Sequence, residues 1–230
     1  MTRRVLLLKP ARTSSREALG DYEAWFSARV GRLASFRPVE LHAGEAPPDG
    51  GYDAIIMSGS PESVTRGEPW MARAGDFMLE AAERGVPVLG VCFGHQLLAW
   101  RLGGAVVKNP RGRELGTISV ALTAAGRADP LFHGLPDVVG VQSTHEDHVE
   151  PLPAAATLLA STAVSLVQAF AFGPRVRGVQ FHPEMDQAST RWVVMDPKVQ
   201  IEETERRALY AQVHDTPWGT RLLENFLTRF

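Results

Sequence analysis

A single cysteine, Cys92, stands in the stretch Gly90-Val91-Cys92-Phe93-Gly94-His95-Gln96. Gly85-Val86-Pro87-Val88-Leu89 precedes it, a short apolar run that reads as a buried strand. Leu97, Leu98, Ala99 and Leu102 follow at a spacing that suits a helix, which Gly103-Gly104 would stop. Cys92 is therefore expected where a strand turns sharply into a helix. This is the geometry of a nucleophile elbow, with Cys in the position other hydrolases give to Ser. The N–H groups and dipole of the following helix would favour thiolate over thiol. A small buried Cys in a core strand accounts for the same residues without chemistry. A second stretch separates the two readings. Val176-Arg177-Gly178-Val179-Gln180-Phe181 reads as a strand, ended by His182-Pro183-Glu184. A thiol nucleophile needs a base, and the base needs an orienting group. His182 and Glu184 supply both, and Pro183 keeps the backbone between them off a helix. A surface His-Pro-Glu turn is the bland alternative; the presence of both segments favours catalysis.

Together the two segments resemble the class I glutamine amidotransferase family, and the resemblance runs roughly from Asp53 to Glu184. It implies an α/β, flavodoxin-like three-layer sandwich with a central, mostly parallel sheet and an additional antiparallel section. It implies a catalytic triad of Cys92, His182 and Glu184 that attacks the side-chain amide of a γ-glutamyl group, with no metal or organic cofactor. The family loop that holds the oxyanion corresponds to Ser58-Gly59-Ser60-Pro61, where Ser60 stands in place of the usual glycine. Its backbone N–H and that of Phe93 are the expected oxyanion donors. Gly59, Gln96, Thr144 and His145 match positions that bind the substrate. In Ser143-Thr144-His145-Glu146-Asp147, Thr144 and Glu146 depart from the pattern whose backbone takes the α-carboxylate of glutamine. Glu146 should weaken glutamine binding unless it points away. His145 and His148 with Glu146 and Asp147 could suggest a metal site; the family uses none, and the histidines are expected in a loop.

Gly20-Asp21-Tyr22 and Thr144-His145-Glu146-Asp147-His148-Val149 resemble stand-alone γ-glutamyl peptidases and hydrolases more than amidotransferase domains of synthetases, such as the glutaminase domain of GMP synthase. The chain has no Walker motif and is too short for an ATP-dependent domain. Three functions remain open. One is a stand-alone hydrolase of γ-glutamyl amides or peptides. Another is a glutaminase subunit that supplies ammonia to a separate synthetase partner. The third is a non-catalytic binding protein on the same fold, against which the intact triad argues.

The 230 residues suffice for one α/β domain, expected to span 1–230, with 44% hydrophobic and 22% charged residues. A net charge of −2, with both signs mixed along the chain, gives no case for nucleic acid or an anionic membrane. One cysteine cannot form an internal disulfide, which fits a reducing cytoplasm. The N-terminal apolar run ends too early, at Lys9-Pro10, for a signal peptide, and no stretch is long enough to span a bilayer.

The positioning elements follow from hydrophobic periodicity. Strands are expected at Val5–Leu8, Val39–His42, Asp53–Met57, Ala105–Val107, Thr117–Leu122 and Val138–Gln142. An antiparallel run over 155–160, 166–172 and 175–181 would deliver His182. Helices are expected over 14–33, capped by Ser14 or Ser15, on the Trp70-Ala74-Phe77-Met78-Ala81 stripe, and over 199–213 and 217–229. Residues 109–116 read as a loop, in which Arg111 and Arg113 form a solvated basic turn or touch a substrate or partner.

Overall fold

Val5 and Leu7 bury into one layer of core, and Leu6 and Leu8 into another. A strand with two apolar faces must be covered on both sides, and this one is. The computed structural model describes residues 2–230; Met1, which the expected 1–230 domain includes, lies outside them. In chain order the strands are β1 (Arg3–Lys9), β2 (Ala34–Glu40), β3 (Ala54–Met57), β4 (Val88–Val91), β5 (Val106–Lys108), β6 (Glu114–Leu122), β7 (Val138–His145), β8 (Asp147–Val149), β9 (Thr157–Ser161), β10 (Ala169–Phe172) and β11 (Val176–Val179). The helices are α1 (Arg16–Leu19), α2 (Tyr22–Val30), α3 (Pro69–Glu83), α4 (Phe93–Arg101), α5 (Ala124–Ala128), α6 (Gln187–Met195), α7 (Glu203–Gln212) and α8 (Trp218–Arg229).

Nine strands form one sheet in the order β2-β1-β3-β4-β11-β10-β9-β6-β7. The pairings from β2 through β11 are parallel, and those from β11 through β7 are antiparallel. The expected α/β sandwich with a parallel core and an antiparallel section is thus present. Phe26 of α2 and Leu222 and Phe226 of α8 cover the face that Val5 and Leu7 enter. Met71 and Met78 of α3 and Leu97 of α4 cover the other. β5 and β8 pair separately. Among the described residues no helix is long and apolar enough to cross a membrane.

Several elements differ from expectation. The helix expected over 14–33 is two pieces, because Gly20 takes φ +79° between α1 and α2. The apolar spacing runs on across the break, so periodicity could not show it. Ser15 stands at the N-cap position of α1, as expected, but without a side-chain cap bond, and Asp21 caps α2 by accepting from the Tyr22 N–H. The second strand lies at 34–40 rather than 39–42. It is the sheet edge, where Pro38 removes no ladder donor that an inner neighbour needs. β6 starts at Glu114, within the expected loop, and β7 and β8 take up most of the loop expected after Gln142. The third strand of the antiparallel run also pairs in parallel with β4. Helix α6 had no counterpart in the expectation, although Asp186 and Ser189 form a capping box at its start.

Candidate active site

The register Met57↔Gly90 and Val91↔Val179 brings the carboxyl ends of β3, β4 and β11 level with one another. Ligands of open α/β sheets bind at such ends. Ser58-Gly59-Ser60 leaves β3 there, Cys92 leaves β4, and the short Gln180-Phe181 extension of β11 carries His182. The His182 N–H donates to the Gln142 carbonyl of β7 at 2.8 Å, which pins this turn.

Cys92 has φ 50° and ψ −98°, and is the one non-glycine residue with positive φ among the described residues. Its N–H donates to Val179 O at 2.9 Å, and its carbonyl accepts from the Gln96 N–H at 3.0 Å, the first bond of α4. Strand and helix therefore both hold the strained residue. The flanking glycines are needed on steric grounds. A Cβ on Gly90 would stand 2.5 Å from the Gly94 carbonyl oxygen, and one on Gly94 2.7 Å from Met57 O. The elbow expected from the sequence is present, with Cys92 at the N-terminus of α4.

The imidazole of His182 lies beside Cys92. A Cβ on Gly59 would be 2.5 Å from His182 Cε1 and 3.5 Å from Cys92 Cβ, so the three residues meet at one point. His182 Nδ1 is 2.8 Å from Glu184 Oε1, and both residues are buried. His182 Nε2 is buried without a hydrogen-bond partner. Burial alone would lower the His182 pKa; the Glu184 carboxylate and the Cys92 sulfur outweigh it and push the imidazole up to about 10. Arg29 of α2 reaches across to the Glu184 carbonyl at 3.3 Å and to that of Met185, which ties the turn to the helix layer. An imidazole oriented by one carboxylate, with its other nitrogen free beside a thiol, can exchange a proton with that thiol or with a group bound to it.

The family model for class I glutamine amidotransferases matches residues 32–195. The chain belongs to this family. Among curated amidotransferase relatives, a glutamine-hydrolysing GMP synthase from Syntrophomonas wolfei is 36% identical over 72% of the chain, which covers 31% of that protein. The chain thus spans only about a third of the length of that synthase. γ-Glutamyl peptidase 4 of Arabidopsis thaliana is 26% identical over 98% of this chain and 94% of its own. A crystal structure of a glutamine amidotransferase from Thermotoga maritima superposes with a TM-score of 0.81, covering 100% of this chain and 98% of that one at 23% identity, a likeness of fold.

A cavity of about 1000 Å³ opens over the amidotransferase elbow. It brings together Ser60, Cys92, Gln96, Thr144, His145 and His182 of the residues singled out in the sequence. Gln96 spends its amide nitrogen on Asp147 O at 2.9 Å and Gln180 Oε1 at 3.1 Å, which leaves its oxygen as the remaining polar group. The His145 ring is held by Asp147 O at 2.9 Å and Glu114 at 3.1 Å, so the ring is not free for a ligand. Glu146 is ion-paired with Arg113, which offsets its charge beside the cavity. Arg111 is bonded to Glu150 and the Val164 carbonyl. The Phe93 ring stacks on Trp70 away from Cys92, with centroids 5.8 Å apart.

His145 ends β7 and His148 lies in β8, not in a loop, and His148 turns toward Glu150 at 3.4 Å. No group of three or more His, Cys, Asp or Glu side chains among the described residues could hold a metal ion. Sequence reasoning missed Tyr22, Trp25, Ser15 and Lys198, all of which line the cavity. Tyr22 and Trp25 carried a signal in the Gly20-Asp21-Tyr22 segment. Ser15 and Lys198 lie outside any motif.

Proposed function

We propose that this amidotransferase hydrolyses γ-glutamyl amide bonds through a thioester on Cys92. The meeting of Cys92, His182 and Glu184 at the ends of neighbouring strands carries the reading. Cys92 Sγ attacks the γ-carbonyl, and the N–H groups of Ser60 and Phe93 stabilise the oxyanion, each worth about 3–4 kcal/mol. The C–N bond breaks, and His182 gives its proton to the departing amine. Water then attacks the thioester, its proton passes to His182, and the C–S bond breaks to release glutamate. Glu184 holds the imidazole throughout. Gly59 permits the close approach of His182, while Gln96, Thr144 and the His145 backbone contact the glutamyl part. The reaction requires no metal or organic cofactor, and a single domain performs it.

The near full-length similarity to a γ-glutamyl peptidase supports a chain that works alone. Cleavage of a γ-glutamyl amide or dipeptide should exceed that of glutamine in kcat/KM, by a modest margin, since one added contact is worth roughly 1–3 kcal/mol. A panel of γ-glutamyl substrates, run with the purified chain and with Cys92→Ala, tests this. Unchanged turnover in Cys92→Ala removes the mechanism. A second reading, a glutaminase subunit feeding a separate synthetase, is favoured by the GMP synthase relatives. It predicts an isolated chain that is nearly silent until such a partner is added.

A further inference from the structure

The amine that leaves the γ-carbon as the Cys92 thioester forms must take its proton from His182, so its substituent lies on the imidazole side of the cavity. Tyr22 lines the cavity with Cys92 and His182 and packs in one apolar cluster with Cys92 and Met185, next to the His182-Pro183-Glu184 turn. Burial first, then the charges of Glu184 and Cys92, hold its phenol pKa well above the usual value, so it stays neutral. Trp25 packs edge-on against Tyr22, with centroids 5.7 Å apart and planes at 72°. Val193 of α6 and Val199 beyond it line the same cavity. An ammonia leaving group uses none of this surface. Pockets for much larger ligands measure about 300–1,000 Å³, and this cavity stands at the upper end of that range.

Two polar features accompany the apolar wall. Ser15 is 2% exposed and lines the cavity, yet its Oγ has no hydrogen-bond partner. Buried hydroxyls are ordinarily paired, so an unpaired one at a cavity marks where a ligand atom belongs. Lys198 lines the cavity and makes no ion pair among the described residues. Its neighbour Asp196 accepts from the Lys198 backbone N–H at 2.9 Å and feels the Lys198 charge without closing an ion pair with it. Of the other charged side chains that line the cavity, Arg12 is paired with Glu40, Arg113 with Glu146 and Glu62 with Arg66, while Lys108 also makes no ion pair among the described residues.

We propose that this end of the cavity receives an apolar α-amino acid as leaving group, so that the preferred substrates are γ-glutamyl dipeptides with an apolar second residue. This rests on the hydrolytic reading above. The apolar side chain lies against Tyr22, Trp25, Val193 and Val199. The terminal carboxylate meets Lys198 and the Ser15 hydroxyl. The amino acid departs as the free amine carrying the His182 proton. A cationic leaving group finds an apolar wall and a lysine, and is disfavoured.

The test compares γ-glutamyl-leucine, its decarboxylated analogue γ-glutamyl-isopentylamide, γ-glutamyl-lysine and glutamine, with wild type, Lys198→Ala and Val199→Asp. We expect kcat/KM for γ-glutamyl-leucine about tenfold above glutamine and above γ-glutamyl-lysine. Lys198→Ala should raise KM for γ-glutamyl-leucine about threefold to fivefold, as an exposed ion pair would, and leave the isopentylamide unchanged. Val199→Asp should lower kcat/KM for γ-glutamyl-leucine more than for glutamine. Equal kcat/KM across the panel, or a Lys198→Ala effect equal on acid and amide, overturns the inference. Absence of any Cys92-dependent turnover overturns the hydrolytic reading itself, and this inference with it; turnover without preference overturns this inference alone.

Discussion

Gly59 and His182 are packed so closely that a single Cβ on Gly59 would stand 2.5 Å from the imidazole Cε1. No φ requirement explains this glycine. Its missing side chain is the space the imidazole occupies. Gly59→Ala must therefore shift His182 by a sizeable fraction of an ångström, away from Cys92 and off its bond to Glu184. We expect kcat to fall about 100-fold, as a displacement near 1 Å of a catalytic group does, with little change in Tm. Steady-state kinetics beside a thermal melt check it; wild-type kcat in Gly59→Ala would mean that His182 does not handle the proton.

The His182–Glu184 pair sets the pH behaviour. His182 must be protonated when the amine departs, and its pKa is pushed up to about 10. Activity should fall on the alkaline side near that value. Glu184→Gln removes the principal charge that raises it, so this limb should move down toward or below the ordinary histidine value of about 6.5. The loss in kcat should reach about 10²–10⁴-fold, less than the near-complete loss in His182→Ala. The linkage has a definite sign. A folded pKa above the unfolded one gives a stabilisation fully present below about pH 6.5 and lost as pH rises through about 10. Denaturation curves of wild type and Glu184→Gln should therefore converge at high pH.

What the sequence showed best was what local chemistry dictates. Gly90, Cys92 and Gly94 announce a turn that only glycines can flank, and His182-Pro183-Glu184 announces a strand end with a base and its partner. The central strands were legible because Val5–Leu8 and Ala54–Met57 are continuously apolar, as strands buried on both faces must be. Elements failed where the deciding interaction is not local. The break at Gly20 is stabilised by Asp21, which is bonded to Lys9 from β1 at 2.7 Å, and no periodicity reports a partner on another strand. The rest of the cavity wall beyond Tyr22 and Trp25 was illegible for the same reason, since Ser15, Val193 and Lys198 meet only after folding. Glu146 looked unfavourable in isolation because its partner Arg113 sits on the other side of the β6–β7 pair.

Lys9 is fully buried, and its ammonium lies 2.7 Å from Asp21, 2.8 Å from Glu23 and 2.9 Å from Glu40. Burial opposes the charge, but these three partners outweigh it and raise the Lys9 pKa. Lys9→Met fits the volume and removes the cation, which leaves the buried Asp21 carboxylate without its partner. We expect a loss of about 3–5 kcal/mol in urea unfolding. Asp21 has a folded pKa below its unfolded one despite burial, because Lys9 and the Thr13 and Tyr22 N–H groups bond it. Its contribution is present above about pH 4 and lost as pH falls further. The gap between wild type and Lys9→Met should therefore narrow under acid conditions. A gap that stays constant down to pH 3 would show that the cluster contributes packing and not charge.

The strain at Cys92 leads to a test that separates fold from chemistry. The residue takes φ 50° and ψ −98°, a conformation that carries a cost of about 1–3 kcal/mol for a side chain with a Cβ. Two bonds impose it, from Cys92 N–H to Val179 O and from Gln96 N–H to Cys92 O. Cys92→Ala removes the sulfur and keeps the strained Cβ. Cys92→Gly removes both, against an entropic loss of about 0.5–1 kcal/mol in the flexible unfolded chain. Both variants should be inactive toward every γ-glutamyl substrate. Cys92→Gly should nonetheless be the more stable, by about 1 kcal/mol over Cys92→Ala in chemical denaturation. A Cys92→Gly protein no more stable than Cys92→Ala would mean that the elbow is relaxed, and that the sharp turn serves to aim the sulfur without storing strain.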